Sequence, residues 1–302
     1  MSAFPGKSLP ERTGASTDRG GGFASLLRRW RAGEIPPLVM GIINVTPDSF
    51  SDGGKFADPV TAIAEGRRMV ADGAAILDIG GESTRPNATP VPEDEERRRI
   101  LPVIEALAGP ETLISADTIK ASVAAAALDA GAHVVNDIRG LQGDPEVAAV
   151  AAAAGAGLVV MHNPGLLGSS TGTEGDPIRA CLAFFERSLG IAARAGVKED
   201  RIVLDPGFGF GKSTEQQVQM LARFDEFGAL GFPVLAGISR KSILGKLTGR
   251  VTEDRVTAST VAHFSTMLSG AAIVRAHDVV PHVDAARIAH AIRRARAERA
   301  AS

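Results

Sequence analysis

The stretch Asp72-Gly-Ala-Ala-Ile-Leu-Asp78 contains the pattern that decides the fold. In this pattern a helical segment ends at a glycine, a short apolar run follows, and a polar residue closes the run. The pattern recurs at Ala130-Gly-Ala-His-Val-Val-Asn136 and at Gly155-Ala-Gly-Leu-Val-Val-Met-His162. Glycine suits the left-handed position that ends a helix, and short runs of Val, Ile and Leu are typical of strands buried on both faces. The repeat therefore predicts alternating helices and parallel strands.

Eight strands of this kind are predicted along the chain, which gives an α/β fold. Besides the three stretches above, the candidates are Leu38–Asn44, Thr112–Asp117, Arg201–Asp205, Pro233–Gly237 and Gly270–Arg275. Eight strand–helix units over about 260 residues predict a (β/α)8 TIM barrel, a single domain over residues 37–302. The alternative is an open doubly wound sheet. That sheet needs a phosphate-binding glycine fingerprint after its first strand, and this sequence has none there.

The composition narrows the class of protein. The 302 residues are 44% hydrophobic and 23% charged, which is typical of a globular protein. The formal net charge of −2 argues against a nucleic-acid partner. Cys181 is the only cysteine, so no internal disulfide forms and a cytoplasmic location is predicted. No apolar run reaches the roughly 18 residues that a membrane-spanning helix needs, so no membrane partner is predicted.

The first 36 residues differ from the rest. Residues 2–22 are polar and glycine-rich, and they are followed by Phe23-Ala-Ser-Leu-Leu-Arg-Arg-Trp30, which can form one or two amphipathic turns. Chain ends are usually poorly ordered unless other parts of the fold hold them. Residues 1–36 are therefore predicted to be a partly disordered N-terminal extension.

Polar residues follow the predicted strands at the points where these strands end. In a barrel these ends meet at one mouth, which is where active sites of this fold lie. Helix capping explains some Asp, Asn and Ser residues at such positions, but it does not explain long cations. The residues concerned are Asn44, Asp78, Asp117, Asn136, His162, Asp205, Ser239, Arg240, Lys241, Arg275 and His277.

The residue types at these ends indicate two kinds of ligand group. Arg275 and His277 are two residues apart and point to one side of an extended strand, where they suit a phosphate-bearing ligand. Asp117, Asn136 and Asp205 can bind the edge of a heterocycle such as a pterin or a guanine. A di-metal centre is the rival interpretation, but it usually needs a His-x-His pair, and the sequence has none.

Several loops together carry a family signature. They include Asn44-Val-Thr-Pro-Asp-Ser-Phe-Ser-Asp-Gly-Gly54, Asp78-Ile-Gly-Gly-Glu-Ser-Thr-Arg-Pro86, Asp205-Pro-Gly-Phe-Gly-Phe-Gly-Lys212, Gly237-Ile-Ser-Arg-Lys-Ser242 and Arg275-Ala-His277. In these stretches the chain resembles the dihydropteroate synthases, folate-pathway enzymes that sulfonamides inhibit. The matches occur in family order over about residues 37–298.

The resemblance implies a reaction and a set of site residues. The reaction condenses (7,8-dihydropterin-6-yl)methyl diphosphate with p-aminobenzoate, in the presence of Mg²⁺, and the family is typically a homodimer. The implied pterin-binding residues are Asp117, Asn136, Asp205 and Lys241. The diphosphate would contact Asn44, Arg85, Arg275 and His277, with the metal at Asn44. The p-aminobenzoate site would include Thr84, Arg85, Pro86, Phe210 and Ser239, and the implied catalytic residues are Asp52, Lys241, Arg275 and His277.

The chemistry of this reaction fits these residues. An aniline nitrogen is nucleophilic when neutral, so the difficult step is the loss of diphosphate, which needs cations such as Arg275, His277 and Mg²⁺. An SN1-like path is therefore predicted. Two alternatives are a pterin-dependent methyltransferase of the same barrel class and a catalytically silent pterin-binding module. The Arg275–His277 pair, Lys241 and the first loop favour the synthase.

Overall fold

Eight parallel strands form a closed barrel in the computed structural model, which describes residues 18–46, 59–83, 89–110, 112–167 and 175–301. Each strand pairs with the next in sequence, and the first pairs with the last. The strands are β1 (Leu38–Asn44), β2 (Ile76–Gly80), β3 (Leu113–Asp117), β4 (Val134–Asp137), β5 (Gly157–Met161), β6 (Ile202–Asp205), β7 (Val234–Ala236) and β8 (Ala271–Ala276). The predicted TIM barrel is confirmed.

Helices surround the barrel and connect its strands. They are α1 (Gly21–Arg31), α2 (Pro59–Ala71), α3 (Glu93–Leu107), α4 (Ala121–Ala130), α5 (Glu146–Ala153), α6 (Pro177–Ala195), α7 (Thr214–Ala222), α8 (Ser242–Thr248), α9 (Val256–Leu268) and α10 (Val279–Ala301). Gly131 and Gly196 follow α4 and α6 with φ of +118° and +83°, so glycine ends these helices as the repeat predicts. In the described ranges, no helix combines the length and the apolar character that crossing a bilayer requires.

The barrel interior changes from apolar to polar along its axis. Side chains at alternate positions of each strand point inward. Met40, Ile76, Val159 and Ile273 are among the inward residues that form one apolar cluster in the amino-terminal part of the barrel. Two residues further along β2 and β8, the inward side chains are Asp78 and Arg275. The strand pattern itself therefore places charged groups at the mouth.

Helix α1 closes the amino-terminal end of the barrel. Phe23 and Leu27 are buried and belong to the interior apolar cluster. A Cβ on Gly157 of β5 would lie 2.5 Å from Cδ1 of Phe23, so glycine leaves room for this ring. Arg201 holds the start of α1, because its Nη2 lies 2.5 Å from Oδ1 of Asp18.

The predicted extension is thus not uniform. Gly21–Arg31 forms 11 residues of helix, longer than the one or two predicted turns, and its apolar face belongs to the core of the barrel. The physical reason is that the open end of the barrel would otherwise expose its apolar interior to water. Residues 1–17 lie outside the described residues, so the prediction of disorder remains a prediction for them.

Candidate active site

The polar ends of the strands lie together at one mouth, because all eight strands are parallel. Asp117 and Asn136 pair in register on β3 and β4, and Gly80 pairs with Asp117 from β2. Asp205 is the last residue of β6, and Arg275 is the penultimate residue of β8. The structure therefore brings these four predicted site residues together.

Arg275 lies at the centre of a charge network. Its Nε donates to Oδ2 of Asp78 at 2.6 Å, and its Nη2 donates to Oδ2 of Asp117 at 2.8 Å. Burial disfavours the guanidinium charge, but the two carboxylates outweigh it and raise the pKa of Arg275. Arg275 is therefore a permanent cation that two carboxylates hold in place.

Asp78 joins two predicted site residues, although the sequence analysis gives it no role. Its side chain is fully buried, and Oδ2 accepts from Nδ2 of Asn136 at 3.0 Å as well as from Arg275. The signal was available in the sequence, since a carboxylate at an inward position of an apolar strand needs buried partners. Identifying those partners requires the closed barrel, because β1 separates β2 from β8.

The two carboxylates predicted to bind the heterocycle, Asp117 and Asp205, both have raised pKa values. Burial, and then the charge of Asp78, raise the pKa of Asp117 to about 7 against the opposing effect of Arg275. Burial also raises the pKa of Asp205, against the charge of Lys241 and a 2.7 Å hydrogen bond from the Gly207 N–H to Oδ1. Both groups are more readily protonated than ordinary aspartates.

Lys241 lies against the glycine-rich loop that follows β6. Its Nζ donates to the carbonyl of Phe208 and lies 4.3 Å from the centroid of the Phe210 ring. Burial lowers the pKa of Lys241 to about 7, although Asp205 opposes this shift. Lys241 can therefore lose its proton near neutral pH.

Lys212 fixes the same glycine-rich loop from behind. Its Nζ donates to the carbonyls of Gly207 at 2.8 Å and Phe210 at 3.2 Å. Burial lowers the pKa of this lysine to about 8. These contacts hold Phe210 next to Lys241, so the aromatic ring and the amine form one surface of the mouth.

Ser239 and His277 form a pair across the ends of β7 and β8. Oγ of Ser239 lies 2.9 Å from Nδ1 of His277 and accepts from the His277 backbone N–H at 3.2 Å. Burial and the nearby charge of Arg275 lower the pKa of His277 to about 4. In the ligand-free site the His277 ring therefore favours its neutral form near pH 7, whereas its role towards the diphosphate remains a prediction.

Two other strand-end residues occupy different environments. Asn44 ends β1 with an exposed side chain, at the rim of the mouth. His162 follows β5 but turns away from the mouth, because the preceding residue Met161 takes the inward position. Its ring packs edge-on against Phe184 with centroids 4.8 Å apart. His162 belongs to the core rather than to the site.

The metal predicted at Asn44 can be compared with the ligands present. Among the described residues there is no group of three His, Cys, Asp or Glu side chains placed to bind a metal ion. Mg²⁺ in phosphate-transfer sites usually keeps several waters and takes few protein ligands together with substrate phosphates. An exposed amide oxygen at the rim fits this mode of binding.

Several predicted site residues lie outside the described residues, namely Asp52, Thr84, Arg85 and Pro86, so their roles remain predictions. The residues on either side of positions 84–88 share one anchor that the sequence analysis missed. Nζ of Lys120 donates to Oε2 of Glu82 at 2.5 Å, to Oε2 of Glu96 at 2.5 Å and to the carbonyl of Val91 at 2.7 Å.

Comparisons with known proteins agree with this geometry. A family described as "Pterin binding enzyme" matches residues 40–277. The dihydropteroate synthase of Synechocystis sp. is 44% identical over 259 residues, covering 84% of this chain and 89% of that protein. A solved structure of the Xanthomonas albilineans dihydropteroate synthase with 4-aminobenzoic acid has a TM-score of 0.80 and 45% identity. That comparison covers 85% of this chain and 93% of the solved chain.

One relative is much longer than this chain. The probable bifunctional folylpolyglutamate synthase/dihydropteroate synthase of Haloferax volcanii is 43% identical over 286 residues, which is 93% of this chain. The chain spans only 34% of that relative, about a third of its length. The similarity therefore concerns a part of that protein.

Proposed function

Because the chain belongs to the dihydropteroate synthase family of pterin-binding enzymes, we propose that it condenses (7,8-dihydropterin-6-yl)methyl diphosphate with p-aminobenzoate. The products are 7,8-dihydropteroate and diphosphate. One observation in the barrel interior carries the proposal: Oδ1 of Asn136 is buried and has no hydrogen-bond partner among the described residues. A buried acceptor of this kind needs a donor, and the N–H groups along a pterin edge supply one.

The pterin would lie across the ends of β3, β4 and β6. Asp117 and Asp205 accept hydrogen bonds from the amino and ring N–H groups, and Asn136 both donates and accepts. Lys241 donates from the side of the glycine-rich loop. The raised pKa values of the two carboxylates give this pocket little excess negative charge before the ligand enters.

The pterin and Arg275 share a partner in this arrangement. Nη2 of Arg275 donates a hydrogen bond to Oδ2 of Asp117, and Asp117 is also proposed to accept hydrogen bonds from the pterin. When the pterin takes Asp117, this guanidinium edge becomes free to contact the diphosphate, while Asp78 still holds Nε. Binding of the ring would therefore prepare the cation for the leaving group.

The remaining diphosphate contacts would come from a neutral donor and a metal ligand. Because Oγ of Ser239 already accepts from the His277 backbone N–H, its hydroxyl would donate to Nδ1 of His277. The ring proton would then lie on Nε2 and donate to a phosphate oxygen. Asn44 would ligate Mg²⁺ that arrives with the diphosphate. When bound, this ion neutralises charge on the leaving group.

The reaction would follow a dissociative path. The C–O bond to the diphosphate breaks first, its electron pair leaves with the diphosphate, and the pterin ring nitrogen delocalises the positive charge on the methylene carbon. The aniline nitrogen then forms the C–N bond and loses a proton to water. Arg275 stabilises the charge that develops on the leaving group, which is the most demanding electrostatic task of the site. The p-aminobenzoate would lie against Phe210 and Ser239.

We further propose that the chain acts as a homodimer in the cytoplasm. The helices α8 and α9 pack against each other and carry exposed apolar side chains on or near them, namely Leu247, Val251 and Val261. Light scattering should give a mass of twice 31.2 kDa. A single-chain mass at micromolar concentration would exclude the dimer.

Diphosphate release with and without p-aminobenzoate tests the proposed activity. Over many turnovers, the purified chain should release diphosphate from the pterin substrate rapidly when Mg²⁺ and p-aminobenzoate are both present, and should form dihydropteroate in equal amount. Without p-aminobenzoate, the dissociative path allows at most about one equivalent of diphosphate per site before turnover stalls. Sulfamethoxazole should inhibit by competing with p-aminobenzoate. A methyltransferase or a silent pterin-binding module gives no diphosphate under any of these conditions, so that result would refute the proposal.

A further inference from the structure

Arg240 has an unusual backbone conformation between two proposed site residues. It lies between Ser239 and Lys241 in the turn after β7, and its φ is +57°, in the left-handed region that favours glycine. Such residues persist only where the surroundings determine the conformation, and they cluster at functional sites. The sequence analysis notes Arg240 at a strand end but gives it no role.

Three contacts hold this turn. The Arg240 N–H donates to Oγ of Ser259 at 2.9 Å, and Nη1 of Arg255 donates to the Arg240 carbonyl at 3.0 Å. The side chain forms a two-point contact with Asp278, with Nε at 3.0 Å from Oδ2 and Nη2 at 2.7 Å from Oδ1. Both peptide groups and the side chain of Arg240 are thus fixed by residues distant in sequence.

Asp278 links this turn to the end of the neighbouring strand. It follows His277 directly and comes three residues after Arg275. The ion pair therefore ties the segment that carries Ser239 and Lys241 to the segment that carries Arg275 and His277. The Ser239–His277 contact is the second link between the same two segments.

The ion pair is too exposed to serve chiefly as a source of stability. The side chains of Arg240 and Asp278 are 32% and 23% exposed. Partly exposed ion pairs contribute little to folding, whereas a two-point guanidinium–carboxylate contact restricts geometry strongly. Its main effect is therefore on where the flanking residues lie.

We propose that Arg240 and Asp278 are positioning residues, which together set the placement of Lys241, Ser239 and His277 at the mouth. Neither residue need touch the substrate. The inference rests on the proposed function for the role of the residues that it positions, but the geometry of the pair is independent of that function.

Substitutions at Arg240 distinguish the effect of its side-chain ion pair from the effect of its backbone conformation. Arg240→Gly accepts the left-handed conformation but removes the ion pair, and Arg240→Ala removes the pair while disfavouring the conformation. Asp278→Asn leaves the backbone alone. All three variants should lower kcat by about 10–100-fold, as expected when a supporting contact of a site is lost. Their melting temperatures should change by only a few degrees.

Arg223→Lys provides a matched control. Arg223 makes a similar two-point contact with Asp176, at 3.1 and 2.9 Å, and is 36% exposed. It pairs with none of the proposed site residues that lie in the described part of the chain. This variant should keep kcat within about 2-fold. Arg240→Lys, which keeps the charge without the two-point geometry, should be intermediate between wild type and Arg240→Ala.

Calorimetric binding of inorganic diphosphate with Mg²⁺ gives a readout that does not depend on turnover. Affinity should fall about 10-fold in Asp278→Asn and remain unchanged in the control variant. If Arg240→Gly and Asp278→Asn keep wild-type kcat and wild-type diphosphate affinity, the inference is wrong. If wild type binds diphosphate but forms no dihydropteroate, the proposed function fails, and the loss of affinity still decides the role of the pair.

Discussion

The two ends of the barrel differ in what they bury. At the amino-terminal end α1 places Phe23 and Leu27 against an apolar interior. At the mouth Asp78, Asp117 and Arg275 are brought together out of water. The comparison shows that one continuous set of strands supports both, because the change occurs within two residues along β2 and β8.

The energetic consequences of the two ends are opposite. Full burial of a large apolar side chain contributes about 1.5–3 kcal/mol to stability. At the mouth, the raised pKa of Asp117 and the lowered pKa of Lys241 show that the fold disfavours the charged forms of these groups. The amino-terminal end therefore stabilises the barrel, whereas the burial of charged groups at the mouth lowers its stability in order to form the site.

The largest expected effect is on stability, at the amino-terminal end. Phe23→Ala should lower the free energy of unfolding by about 3–5 kcal/mol, because it removes a fully buried ring and leaves a cavity against Gly157. Urea unfolding measures this change. The kcat of the folded variant should match wild type.

Val60→Ala is the control for Phe23→Ala, since Val60 is 72% exposed. It should change stability by less than about 0.5 kcal/mol. If Phe23→Ala loses more kcat than its loss of folded protein explains, the amino-terminal end affects catalysis and the two ends are not independent.

The next effect is on catalysis, at the mouth. Arg275→Met should lower kcat by about 10²–10³-fold, because it removes the cation proposed to stabilise the leaving diphosphate. It also leaves Asp78 and Asp117 without their shared partner, so stability should fall as well, and kcat must be expressed per folded molecule.

Arg68→Met is the surface counterpart of Arg275→Met. Arg68 pairs with Glu65 and Asp72 on α2, and kcat should stay within about 2-fold of wild type because exposed pairs contribute little. Near-normal turnover in Arg275→Met would remove Arg275 from the proposed mechanism.

Substitutions at His277 test whether the site needs a positive charge or a neutral hydrogen-bond donor at this position. Because the pKa of His277 is lowered to about 4, a glutamine that keeps an N–H donor should replace it better than alanine does. His277→Ala should lose about 10–100-fold in kcat/KM for the pterin diphosphate, as expected for a hydrogen bond to a charged group. His277→Gln should lose less than about 10-fold. A rate that falls as pH rises through the ordinary histidine pKa, with no such fall in His277→Gln, would contradict this assignment.

The sequence predicts the mouth better than it predicts the opposite end. Strands and most helix boundaries follow from local patterns, such as the glycine that ends α4 before β4. The docking of α1 does not, because its partner is an apolar surface formed only when the barrel closes. The pairing of Arg275 with Asp78 has the same origin, since these residues are 197 positions apart on strands that do not pair. Residue types at strand ends predicted that Asp117, Asn136, Asp205 and Arg275 meet at one mouth, but not the contacts between them.

The last expected effect is a pH dependence of stability that Lys241 contributes at the mouth. The pKa of Lys241 falls from an ordinary 10.5 to about 7 in the folded chain. Between these two pKa values the unfolded chain holds a proton that the folded chain has lost, so the free energy of unfolding rises with pH. Below about pH 7 the amine is charged in both states, and the full cost of burying that charge lowers the stability.

Lys241→Met should therefore flatten the rise in stability with pH by at most about 1.4 kcal/mol per pH unit, measured by urea unfolding from about pH 7 to pH 9. Lys212, whose pKa is lowered to about 8, is present in both wild type and variant, so the difference between the two slopes reports the loss of Lys241. Lys198→Met, at an exposed surface position, is the control and should keep the wild-type slope. Equal slopes in Lys241→Met and wild type would mean that the mouth does not oppose the charge on this amine. In that case the electrostatic contrast between the two ends would rest on the carboxylates alone.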